Sequence, residues 1–271
     1  ALSRALGQSF VVDNRPGAGG SIGADLVAKA APDGYTVFLA NGTTHGATPS
    51  LYPKLPYDSV KDFAPVVLIS TAPNVLVVGP AVPVKTVGEF IALAKQQPGK
   101  LTLASGGNGS ISHLSIELLK SMAGIDVLHV PYKGAAPALT DIASGQVGGM
   151  IINIPSALPL LQAGKLKALA VSSLKPAAAL PNVPTIDKAG VPGYQTLAWF
   201  GSMVPAGTPP EVVRTLHQKT AEALAQAEVK ETLAKLGADA SGLGPAEFAA
   251  HVKSEMAKYA KIVREAGVKL D

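Results

Sequence analysis

The chain has 271 residues, 47% of them hydrophobic and only 15% charged. That is enough apolar matter for one large domain or two of about 100 to 150 residues, and it rules out a disordered chain. No apolar stretch reaches the ~18 residues that span a bilayer. The formal charge of +4 is spread too thinly to form a nucleic-acid or membrane stripe. Cysteine is absent, which excludes a disulfide framework, thiolate catalysis and zinc–thiolate sites, and suits an exported protein.

The first residues, ALSRALGQS, read as the tail of a helix ending near Gly7. An α/β fold seldom begins there, so a strand and a loop are expected upstream, and the given residues carry no signal peptide. Strands are then expected at 10–13, 35–40, 66–70, 74–78, 101–105, 127–130, 149–153, 166–172 and 198–204. Most of these runs are almost wholly apolar, the mark of parallel strands covered on both faces. Between them SIGADLVAKAA, TVGEFIALAKQQ, SHLSIELLKSMAG and APALTDIASG repeat apolar residues at three-to-four spacing, so the fold class is α/β. In the last third, Thr208 is the expected N-cap of a helix, with Glu211 completing a capping box. A second long helix follows, with Phe248, Val252, Met256, Tyr259 and Val263 in line. Two terminal helices after a run of βα units suggest that the chain returns to cover an earlier domain.

Four glycine-containing loops follow strands. RPGAGGSIGADL does not fit the dinucleotide fingerprint: from Gly17 the third position is Gly19, but the sixth is Ile22. No lysine follows until Lys29, so it is no P-loop either, and a tight turn is the plain alternative. In ASGGNGSISHL, Ser105, Gly106, Gly107, Asn108, Gly109 and Ser110 lead into a helix near Ile111. Free amides and the positive end of a helix dipole make such a start an anion site, and the lack of Lys and Arg favours a carboxylate over a polyphosphate. An ordinary capped helix fits equally well. In ANGTTHGATP, small donors again sit where open parallel sheets bind ligands. VPYKGAAPAL, with Tyr132, Lys133 and Gly134, is a weaker candidate that also reads as a plain turn.

Reaction chemistry has little support. There is no Gly-x-Ser-x-Gly elbow and no His-Glu-x-x-His helix. His113 and Glu117 share a predicted helix face at i, i+4, but no third metal ligand can be named. His129, inside an apolar strand, reads as a satisfied core histidine. Ligand loops without a reaction centre point to binding, with no cofactor and no metal.

The ordered segments VVDNRPGAGGSIGADLVAKAAPDGYTVFLANGTTHGATPSLYPKLPYDSVKDFAPVVLIS, PNVLVV, SGGNGSISHL, VPYKGAAPALTDIASGQV, LPLLQAGKLKALAV, PTIDKAG, WFGSMVPAGTP and EAGVKL resemble the Bug-type solute receptors. These are the substrate-binding subunits of tripartite tricarboxylate transporters. The resemblance implies a two-lobed, type II-like periplasmic-binding-protein fold, each lobe a mostly parallel sheet flanked by helices. Its lobes would be 1–77 with 201–271, and 78–200, enclosing a small carboxylate as they close. Gly42, Thr43, Thr44 and His45 would line the first lobe's wall. Ser105, Gly106, Asn108, Gly109, Ser110 and His113 would form the anion-holding wall of the second, through main-chain amides, with Tyr132, Lys133 and Asn153 as neighbours. The Gly17–Gly20 loop would sit at the rim or serve packing. Amino-acid-binding members resemble FDN where this chain has GMIIN, so Ile152 replaces an aspartate that would pair with a ligand ammonium. The implied ligand is therefore a mono- or dicarboxylate without an α-amino group. The implied protein is a periplasmic monomer that delivers its ligand to membrane transporter subunits or a sensor kinase and binds no nucleic acid. An oxidoreductase or hydrolase on the same architecture is the alternative.

Overall fold

A computed structural model describes residues 2–15, 17–52, 54–265 and 267–268. In chain order the elements are α1 (Leu2–Leu6), α2 (Ser21–Ala28), β1 (Phe38–Asn41), α3 (Thr48–Leu51), β2 (Phe63–Val78), α4 (Val87–Gln96), β3 (Thr102–Ser105), α5 (Ile111–Ala123) and β4 (Leu128–Pro131). There follow α6 (Ala135–Ala143), β5 (Gly149–Asn153), α7 (Ile154–Gln162), β6 (Lys167–Val171), β7 (Leu197–Pro205), α8 (Pro210–Ala225), α9 (Ala227–Lys235), β8 (Asp239–Leu243) and α10 (Pro245–Glu265). The chain forms two compact units. Unit 1 holds 1–71, 199–234 and 239–261; unit 2 holds 72–198, 235–238 and 262–271.

In unit 2 the α/β alternation is plain. β3 pairs in parallel with β4 and with β5, so these three strands end at one sheet edge, each followed by a helix. The second half of β2 runs antiparallel to β5 and to β6. Two apolar layers cover this sheet. Leu76, Val78, Phe90, Leu103, Ile116 and Leu119 belong to one, and Val75, Val77, Met150, Ile152 and Ile154 to the other. Alternate residues of β2 thus point to opposite layers, which is why the strand reads as a continuous apolar run. Each fully buried large aliphatic side chain contributes about 1.5–3 kcal/mol. Close fit also constrains the backbone: a Cβ on Gly79 would collide with the carbonyl oxygen of Ile142.

In unit 1, β1 pairs antiparallel with β7, and the first half of β2 antiparallel with β8. These two pairs are antiparallel although β1, β2 and β7 are as apolar as the parallel strands. Apolarity records burial on both faces, not strand direction. Trp199, Phe248, Phe63, Tyr57 and Val252 build the core here, with the Phe248 ring edge-on to Trp199 at 5.7 Å.

Several expectations are corrected. The runs at 66–70 and 74–78 are one strand, in which Pro73 falls between the residues paired to β8 and those paired to β5. Residues 10–13 form no strand: Val11 and Val12 stand 88% and 81% exposed, without a ladder partner among the described residues. Thr208 does not cap α8. Its hydroxyl donates to the Pro205 carbonyl, and Pro209 occupies the N-cap. Helix α7 is hidden in the sequence by Pro155 and Pro159, yet Pro155 lies in its first turn, where a missing amide costs nothing.

Candidate functional site

The parallel strands β5, β3 and β4 deliver Asn153, the 105–110 loop and the 131–134 loop to the same sheet edge, at strand C-termini. Direct bonds tie two of these segments together: the Tyr132 amide donates to the Ser105 carbonyl (3.0 Å) and the Gly134 amide to the Gly106 carbonyl (3.2 Å). Gly107, at φ +129°, meets this neighbour closely; a Cβ there would stand 3.1 Å from the Tyr132 carbonyl oxygen. The glycine is there to let two loops touch.

The sequence reading gives the main-chain amides of this loop to the anion. The structure corrects that assignment. The Gly106 amide donates to Ser112 Oγ, Gly107 to Ser105 Oγ, Gly109 to His113 Nδ1, Ser110 to the Gly107 carbonyl, and His113 to Ser110 Oγ. Short serine and histidine side chains are good local acceptors, and a glycine-rich loop folds readily onto them. These five amides are thus engaged within the loop and the first turn of α5, and side chains stand beside them at this edge. Asn108 and Lys133 are exposed. Tyr132 reaches Asp141 Oδ2 through its hydroxyl at 2.8 Å, a bond that, after desolvation, also holds its phenol above the usual range. Asn153 caps α7, its Oδ1 accepting from the Ser156 amide.

Behind the loop lie two histidines. His113 and His129 stack with ring centroids 3.9 Å apart and planes 7° from parallel. Burial lowers both pKa values, that of His129 to about 4; the neighbouring His113 and Lys120 charges lower it further, while Glu117 pulls His113 the other way. Both rings are therefore neutral at pH 7, and Lys133 carries the positive charge among the nominated residues. His113 Nε2 lies 3.8 Å from Glu117 Oε1. Among the described residues no group of three His, Cys, Asp or Glu side chains could hold a metal.

The nominated residues of unit 1 form a helical turn, not an open loop. Gly42–Ala47 is a single π-helical stretch capped by Asn41, whose Oδ1 accepts from the Thr43 and Thr44 amides while Thr44 Oγ1 accepts from the Asn41 amide. The reciprocal Asn-x-x-Thr pattern satisfies three amides that would otherwise be free. His45 is fully buried, its ring 4.7 Å from that of Phe63 and 5.5 Å from that of Phe38. Gly42 and Thr44 are buried as well. Gly20 belongs to the same packing: a Cβ there would meet the Thr44 methyl at 2.6 Å, so the opening glycine cluster serves close approach.

His129 is the site residue that sequence reasoning missed. It is one strand away in space but 24 residues from Ser105 in the chain, and only the Leu103–His129 register of β3 and β4 brings them together.

Comparison with known proteins agrees with this architecture. Residues 1–268 match the family described as tripartite tricarboxylate transporter family receptor. BugT of Bordetella pertussis is 37% identical over 99% of this chain and 83% of its own length. The solved structure of Rpa4515 from R. palustris with adipate is 41% identical, with a TM-score of 0.95 over 99% of this chain and 90% of the other. MatC from Rhodopseudomonas palustris with bound malate is 37% identical, with a TM-score of 0.90 over 97% of this chain and 90% of its own. A match along nearly the whole length leaves one conclusion: the chain belongs to the tripartite tricarboxylate transporter receptor family.

Proposed function

We propose that this receptor binds a small dicarboxylate lacking an α-amino group, in the periplasm, and passes it to membrane transporter subunits. The observation that carries the reading is the 41% identity to a protein whose structure holds adipate, at a TM-score of 0.95. The malate-bound neighbour extends it to a second diacid. In unit 2 the ligand would meet Asn108, Ser110, Tyr132, Lys133 and Asn153, with the N-terminus of α5 adding a favourable dipole for a carboxylate. In unit 1 the nominated contacts remain Gly42, Thr43, Thr44 and His45, with Thr43 the best placed because the other three are buried. Ile152, 7% exposed among Val75, Met150 and Ile154, offers no counter-charge to an ammonium. The role is binding without turnover.

The protein purified from a cell extract is expected to retain a small organic acid. Native mass spectrometry should show a mass increment that disappears on denaturation, with a diacid released. Addition of adipate or malate to the stripped protein should then raise its melting temperature. No retained acid and no thermal shift with either compound would reject the assignment.

A further inference from the structure

We propose that the stacked imidazoles of His113 and His129 are positioning residues that clamp the 105–110 loop from behind, one at each end, so that Asn108 and Ser110 are held for the ligand. The inference deepens the proposed function and rests on it for the role of the loop.

The geometry is reciprocal. His129 Nε2 lies 2.6 Å from Ser105 Oγ at the loop's first residue. His113 Nδ1 accepts from the Gly109 amide at 3.1 Å near its last. The rings lie face to face, so a shift of one presses on the other. Ser105 Oγ in turn accepts from the Gly107 amide, carrying the His129 contact into the middle of the loop. A proton on His113 Nδ1 would abolish an acceptor, and a second imidazolium 3.9 Å away would be repelled. The clamp therefore works in the neutral state.

The charged groups facing the pair are Glu117 and Lys120 of α5, which are themselves paired at 3.1 Å. Since burial dominates and lowers both values, the closed loop binds fewer protons than an opened one. Closure is then fully favoured above pH ~6.5 and weakens as pH falls toward the lowered values of the pair, about 4 for His129.

Two readouts test this. In calorimetry at pH 7.5, H113A and H129A should weaken adipate binding roughly three- to tenfold, the worth of one or two lost hydrogen bonds. H113N, whose Oδ1 can replace Nδ1 as acceptor, and H129Q, whose amide reaches the Nε2 position, should recover most of it. Independently of any ligand, the hydrogen-exchange protection factor of the Gly109 amide should fall between pH 6.5 and 5 in the wild type. It should fall less in H113N, where only His129 still titrates. If wild-type protein ignores adipate, the proposed function fails while the Gly109 protection still decides the clamp. The clamp is overturned if the alanine variants bind adipate like wild type, if the conservative variants lose as much as the alanines, or if Gly109 protection does not change with pH.

Discussion

Replacing Ile152 by aspartate is expected to destabilise unit 2 by about 3–5 kcal/mol at neutral pH, the cost of leaving a carboxylate buried without a partner. Ile152 stands opposite Val75 in the β2–β5 ladder and shares its apolar layer with Met150 and Ile154. None of these can hydrogen-bond a side-chain oxygen. The new carboxyl would escape ionisation by a raised pKa, so the loss should shrink on acidification. Urea unfolding followed by circular dichroism at pH 7.5 and 5.5 would measure both effects. An Ile152→Asp protein as stable as wild type would mean that solvent or a counter-charge reaches this position. Residue 152 would then tolerate a charged neighbour, and an amino-acid ligand would fit there.

The second large effect concerns acid stability. His45 is enclosed by Phe38, Tyr57 and Phe63, and burial pushes its pKa from 6.5 down to about 4. Its Nδ1 is hydrogen-bonded to Thr44 Oγ1, which already donates to the Asn41 carbonyl, so Nδ1 carries the proton. Nε2 is buried with no partner, and protonation would place an unpaired N–H⁺ among aromatic rings. A depressed histidine pKa means that the unfolded chain binds the extra proton. The stability that His45 confers is whole above pH 6.5 and is lost as pH falls toward 4, by about 3 kcal/mol in all. Denaturant midpoints between pH 7 and 4 should therefore fall steeply for wild type and less steeply for His45→Leu, which cannot titrate. Parallel slopes for the two proteins would refute this account of acid sensitivity.

The nominated residues show where the sequence was readable and where it was not. Apolar runs located β3, β5 and β6, and the Ser-Gly-Asn loop after β3 stood out because its residues have few structural uses other than turns and ligand contact. Pairing direction was not legible, since β2 is equally apolar whether its neighbours run with it or against it. Helix α7 was masked by two prolines, and β8, which alternates exposed and half-buried residues, carries no apolar run. GTTHGA looked like a loop because its cap is Asn41, outside the stretch, and its helical turn is π rather than α. The loop amides looked available because a sequence lists donors without showing their acceptors; Ser105, Ser110, Ser112 and His113 side chains take up four of them.

The central claim is recognition of an organic diacid through its carboxylates. Isothermal titration of the stripped protein with adipate, with its uncharged diamide and with glutamate tests it most directly. Binding of adipate at micromolar or tighter affinity, with the diamide silent and glutamate at least tenfold weaker, is the outcome expected here. Equal binding of adipate and its diamide, or preference for glutamate, would contradict it.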